Sequence, residues 1–160
     1  MTQRKAEEYR KAELESLNMD RSSFNPGQSE TARGAYDGPH ADLTGRIIAC
    51  AIEVHRALGP GLLESAYEHC LAHALIADGF KVERQIAVPI SFRDTTLDCG
   101  YRIDLLVEDV VVIELKSVDE THPIHEAQLL TYLKLSGKRV GLLINFNVTV
   151  LTRGLKRLVI

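Results

Sequence analysis

The chain has 160 residues, 45% of them hydrophobic, a formal net charge of -3 and three cysteines, Cys50, Cys70 and Cys99, with no CxxC spacing. That length suits one domain with a sizeable core, and the net charge excludes a general polycation. No run reaches the roughly eighteen apolar residues that cross a bilayer, and no apolar N-terminal stretch precedes a cleavage-like site, so the expectation is a cytoplasmic protein without a membrane partner.

Residues 1–41 read as a polar extension. The first twenty, MTQRKAEEYRKAELESLNMD, have too few apolar positions to bury a helix face, and RSSFNPGQSETARGAYDGPH supplies Ser, Gly, Pro and Asn at linker density. The domain is expected over 42–160. From Thr44, the apolar positions Ile47, Ile48, Ala51, Val54 and Leu58 recur at helical spacing until GPG at 59–61. A second helix follows, striped by Leu63, Tyr67, Leu71 and Leu75 and closed by Gly79. KVERQIAVPISF and TLDCGYRIDLLV read as two strands joined at RDTT, with Pro89 marking an edge or bulge, and VVVIELKSV is a third. HEAQLLTYLKLSG returns to helical periodicity, RVGLLINF is a buried strand, and a short strand can follow it. The order is ααβββαβ, an α/β chain.

Glu114 and Lys116 interrupt the apolar third strand, where an unpaired charge costs several kcal/mol. Two residues apart, they project from one face. Whether Asp104 in the preceding strand joins them depends on the hairpin. A two-residue turn at Glu108 and Asp109 pairs Asp104 with Ile113 and scatters the three; a three-residue loop, Glu108 to Val110, sets Asp104 across from Glu114 and Arg102 across from Lys116. Two carboxylates with room for water suit Mg²⁺ or Mn²⁺ rather than zinc. A lysine beside them can orient or help deprotonate a metal-bound water, or stabilise charge on a phosphate. Glu64, near the start of the second helix and on one face with Glu68, is a candidate third carboxylate. Gln128 and Tyr132, four apart on the last helix, share a face and can meet the metal site or a nucleotide. His69 and His73, also four apart, lack a third ligand in the sequence and are set aside.

With these residues in place, the sequence resembles the GxxExxY proteins, a branch of the PD-(D/E)xK nuclease-like superfamily. The naming motif falls on Gly61, Glu64 and Tyr67, and the resemblance runs over roughly residues 43–159, through EVHRALGPGLLESAYE, ERQ, YRIDLLVEDVVVIELKSV, AQLLTYLK and GLLINF. It implies a restriction-endonuclease-like αβββαβ core, with a mixed central sheet flanked by helices. On this likeness Asp104, Glu114 and Lys116 match the D…ExK set, and Glu64 matches the helical acidic residue. Gln128 with Tyr132 looks like the QxxxY of RecB-type nucleases. The proline of the superfamily's name is absent, Ile103 preceding Asp104.

The expected function is therefore Mg²⁺- or Mn²⁺-dependent cleavage of nucleic-acid phosphodiester bonds, DNA before RNA. Asp104, Glu114 and Glu64 stand as catalytic metal ligands, and Lys116 activates water. The alternative is a module that binds nucleic acid or protein without catalysis; dependence on a protein partner, or assembly with a second copy, stays open. Charge is segregated: eight acidic residues against two basic lie between Asp98 and Glu126, whereas Ala127 to Ile160 carries six basic residues and no acidic one. Of these six, Lys134, Lys138 and Arg139 are expected to join Gln128 and Tyr132 in binding substrate, with Arg153, Lys156 and Arg157 extending the phosphate-positioning surface.

Overall fold

The computed structural model describes residues 38–98 and 100–160. Most of the expected extension thus lies outside the described residues. Helix α1 (Ala41–Leu58) and helix α2 (Glu64–Ala77) come first, followed by strand β1 (Val82–Ala87). A small hairpin, β2 (Ile90–Phe92) and β3 (Thr95–Leu97), precedes strands β4 (Arg102–Val107) and β5 (Val111–Lys116). Helix α3 (Pro123–Ser136), strand β6 (Val140–Asn145), a 3-10 turn (Leu151–Gly154) and strand β7 (Leu155–Val159) complete the chain.

Five strands form one sheet in the order β1-β4-β5-β6-β7. Only β5 and β6 are parallel, with α3 as their crossover; every other neighbouring pair is antiparallel. Strand alternation sends Leu105, Ile113, Leu142 and Ile144 to one face, where they pack on Ile47, Ala51, Tyr67, Leu71 and Leu75 of α1 and α2. The other face gives Leu106, Val112 and Leu143 to Leu129, Tyr132 and Leu133 of α3. Gly141 lets α3 sit close, because a Cβ there would meet Leu129 Cδ1 at 2.8 Å. The result is the three-layer, restriction-endonuclease-like α/β architecture with a mixed central sheet.

Two expected boundaries need correction. The first helix begins at Ala41 rather than Thr44, the Thr44 hydroxyl turning back to the carbonyl oxygens of His40 and Ala41. Each of the two long strands expected between 81 and 107 is broken in two. Pro89 cannot donate to a ladder, and RDTT closes only the small β2–β3 hairpin, whereas β1 pairs directly with β4, the Val88 N–H reaching the Tyr101 carbonyl oxygen at 2.9 Å.

The β4–β5 connection takes the odd register. Glu108 and Asp109 both adopt left-handed backbone, with φ of 54° and 56°, and Val110 N–H closes the turn on the Val107 carbonyl. Val110 is then an extra residue, so Val107 pairs with Val111 and Leu105 with Ile113. Continued one step, this register sets Asp104 opposite Glu114.

Candidate active site

Beyond Leu105 the β4–β5 ladder opens, and a side chain replaces the next backbone partner. Asp104 Oδ2 accepts the Leu115 N–H at 2.8 Å. This bond fixes the Asp104 carboxylate at the end of β5, where Glu114 and Lys116 point to the α3 side of the sheet. Lys116 Nζ donates to Glu114 Oε1 at 2.5 Å, and Glu114 is only 2% exposed. Its second oxygen, Oε2, is buried without a hydrogen-bond partner among the described residues. A buried carboxylate oxygen left unpaired costs free energy that a bound cation recovers.

The electrostatics follow from that geometry. Burial, reinforced by the Asp104 charge, raises Glu114 from its ordinary carboxylate value to about 7 against the pull of Lys116. Asp104 is also raised by burial, opposed by its bond from Leu115 and by the Lys116 charge. Burial alone would lower Lys116, but its hydrogen bond to Glu114 and the negative charges of Glu114, Glu64 and Asp104 leave it raised, hence protonated.

Glu64 stands at the first turn of α2, exposed, with Oε1 accepting the Ser117 N–H at 3.2 Å. The GxxExxY positions explain why it sits there. Gly61 has a φ of 96°, and Tyr67, buried and stacked on Phe146, donates to the Gly59 carbonyl at 2.6 Å while accepting the Leu62 N–H at 3.2 Å. Tyr67 thereby fixes the loop that delivers Glu64, and Ser117 Oγ ties the same loop to β5 through the Leu62 carbonyl. Among the described residues, no group of three or more His, Cys, Asp or Glu side chains is gathered closely enough to hold a metal. Glu64 is therefore near the pair, and its charge is felt there, but it is turned to the backbone.

Sequence reading missed a second acidic arm. Glu68 is 6% exposed and accepts Arg84 Nε at 2.9 Å and Gln85 Nε2 at 2.8 Å; the same Gln85 amide reaches Asp104 Oδ1 at 3.4 Å, a weak contact. Gln85 adopts a φ of 51°, uncommon for a residue with a side chain, at the point where it bridges α2 to β4. Only the one-face relation of Glu64 and Glu68 hinted at this, since the β1 pairing that brings Gln85 in is long-range. His69, through the Ser65 carbonyl oxygen and Arg84, belongs to this arm and not to a metal pair with His73.

On α3, Gln128 Nε2 donates to the Tyr132 hydroxyl at 2.9 Å. Burial raises Tyr132 against its bond from Gln128, and the charges of Glu114, Lys116 and Asp104 act on it. Lys134 is exposed on the same helix. Lys138 and Arg139 require correction as neighbours of the site. Because β6 runs parallel to β5, both stand at the Val111 end, roughly 16 Å along the strand from Lys116. There Lys138 pairs with Asp109 at 2.7 Å and Arg139 Nε donates to the Ile160 carbonyl oxygen. Lys156 is paired with Glu126, and Arg157 donates to the Pro39 carbonyl oxygen. Lys156 is level with Glu114 across β6, and Arg153, exposed in the 3-10 turn, stands at the same end of β6 and β7.

A five-stranded mixed sheet with an Asp on one strand and Glu-x-Lys ending the next, between helices on both faces, defines a nuclease-like α/β domain. A family model described as the PD-(D/E)XK nuclease superfamily matches residues 41–158, and the chain belongs to that superfamily. No curated protein and no solved structure matches. No helix among the described residues is long and apolar enough to cross a membrane.

Proposed function

We propose that this protein is a divalent-metal-dependent nuclease of the GxxExxY branch, hydrolysing phosphodiester bonds in DNA rather than RNA, with residues 42–160 as its catalytic domain. The observation that carries the reading is the buried Glu114 carboxylate, one oxygen bound by Lys116 and the other unpartnered, in register with Asp104. The donor set fits Mg²⁺, or Mn²⁺, which commonly takes one or two carboxylates and completes its shell with water and phosphate oxygens. Asp104 and Glu114 would hold the ion, and Glu64 would reach it through water. When bound, the ion supplies a Lewis acid for the phosphate and an acidified water.

The chain's own residues do the rest. Lys116, kept protonated by Glu114, orients the attacking water and neutralises charge gathering on the phosphate, a role that uses its proton instead of removing one. The Leu115 N–H and Gln85 hold Asp104 in place, and Gln128 with Tyr132 lines the approach from α3. The test is incubation with single-stranded, nicked, branched and duplex DNA and with RNA, in Mg²⁺, Mn²⁺ or EDTA. Divalent-dependent cutting of DNA that vanishes in Lys116→Ala is the expected result. Binding without cutting on every substrate would instead assign a non-catalytic module.

A further inference from the structure

Against α3 lies a cleft of about 360 Å³, lined by Ile90 and Tyr101 on one side and by Ile124, Ala127, Gln128, Thr131, Tyr132 and Leu135 of the helix on the other. None of its lining residues is charged. Tyr101 and Tyr132 meet edge to face, with ring centroids 6.4 Å apart, and Tyr101 and Ile124 are 47% and 69% exposed. The volume falls at the low end of ligand pockets, about 300–1,000 Å³, which suits one planar heterocycle better than a protein helix. The apolar lining is interrupted by the Gln128 amide and the Tyr132 hydroxyl, which are bonded to each other, and the charges of Glu114 and Lys116 act on Tyr132. Lys134, exposed one turn along α3 from the lining residue Thr131, is available to a backbone phosphate beside a captured base.

We propose that this cleft receives one unstacked nucleobase, its face against Tyr101 and its edge on Gln128, so that the preferred substrate carries an unpaired base next to the scissile phosphate, as at a gap, flap or frayed end. The assignment rests on the nuclease reading only for where the phosphate goes; base capture itself needs no metal. Aromatic side chains stack on any base, so this is selection for single-strandedness rather than sequence. A paired base would first have to leave its stack.

The test is binding in EDTA, with a short DNA single strand carrying one 2-aminopurine and the same strand in duplex as probes. The wild type should bind the single strand more tightly and change the fluorescence of the 2-aminopurine. Tyr101→Ala should weaken single-strand binding about tenfold, in line with the loss of one stacked base, and leave duplex binding unchanged. Ala127→Trp, which fills the cleft from α3 and leaves Tyr101 unsubstituted, should do the same and guards against a misfolded Tyr101 variant. Wild-type single-strand affinity in both variants, with native circular dichroism, overturns the proposal, as does a doubled mass in solution that Ala127→Trp abolishes. Base capture without any cutting in Mg²⁺ would sink the nuclease reading and leave the cleft standing; Lys116-dependent cutting with unchanged binding in both variants would sink the cleft alone.

Discussion

Metal-free, the protein should lose stability as pH rises through the range in which Glu114 ionises. Its folded-state pKa of about 7 lies above the ordinary 4.5. Below 4.5 the carboxyl is protonated folded and unfolded alike, and its contribution is fully present. Between 4.5 and 7 the unfolded chain gives up the proton while the folded protein retains it, so stability falls, and above 7 the loss is complete. One proton gives at most about 1.4 kcal/mol per pH unit, and the whole window amounts to about 3 kcal/mol. Asp104, raised in the same direction, adds to the fall. Urea unfolding in EDTA at several pH values between 5 and 8 measures it, with Glu114→Gln as the control that removes the titration. The wild-type curve should descend relative to that of the variant by about 2–3 kcal/mol across the range. Saturating Mg²⁺ should remove the descent in the wild type alone, since the ion binds the ionised carboxylate and stabilises the state that it binds. Parallel wild-type and variant curves in EDTA would refute the reasoning, because Glu114 would then be no more costly to ionise in the fold than in water.

Tyr67→Phe removes the hydroxyl that joins the Gly59 carbonyl to the Leu62 N–H, and should cost about 1–2 kcal/mol in chemical denaturation. Its larger effect should fall on the loop that carries Glu64, read as faster amide exchange at Leu62 and Ser117 than in the wild type. Lys138→Ala with Arg139→Ala should leave both nucleic-acid affinity and its slope against log salt unchanged, since these cations face the far end of the sheet. A reduced slope would mean that substrate runs the full length of the strands.

How far the sequence could be read depended on the range of the interaction. The α3 periodicity and the buried β6 run are local patterns, and both became the expected elements. Asp104, Glu114 and Lys116 could be named from spacing, but their convergence hung on the single residue Val110. The sequence offered two registers, and the left-handed backbone at Glu108 and Asp109 with one extra residue selects between them. Lys138 and Arg139 lie away from the carboxylates for a topological reason. Adjacent in sequence to the Gln128 helix, Lys138 and Arg139 follow its far end, and a parallel crossover returns the chain to the start of β5 rather than to its Lys116 end. Glu68 and Gln85 were hidden because β1 reaches the site by pairing with β4 across about twenty intervening residues, including a hairpin of its own.

The bond from Leu115 N–H to Asp104 changes what a sequence containing this aspartate reveals. The carboxylate occupies the place of a missing strand partner, so Asp104→Ala would orphan a part-buried backbone donor as well as remove a proposed metal ligand. Folding alone gives a reason to keep Asp104, whether or not anything is ever cut. Glu114 is in the opposite position, for its unpartnered oxygen is a liability to a protein that never meets a cation. A lineage that had abandoned catalysis would shed Glu114 first and retain Asp104 long afterwards. Of the two carboxylates, the aspartate has a place in the sheet without a cation, and the second oxygen of the glutamate has none.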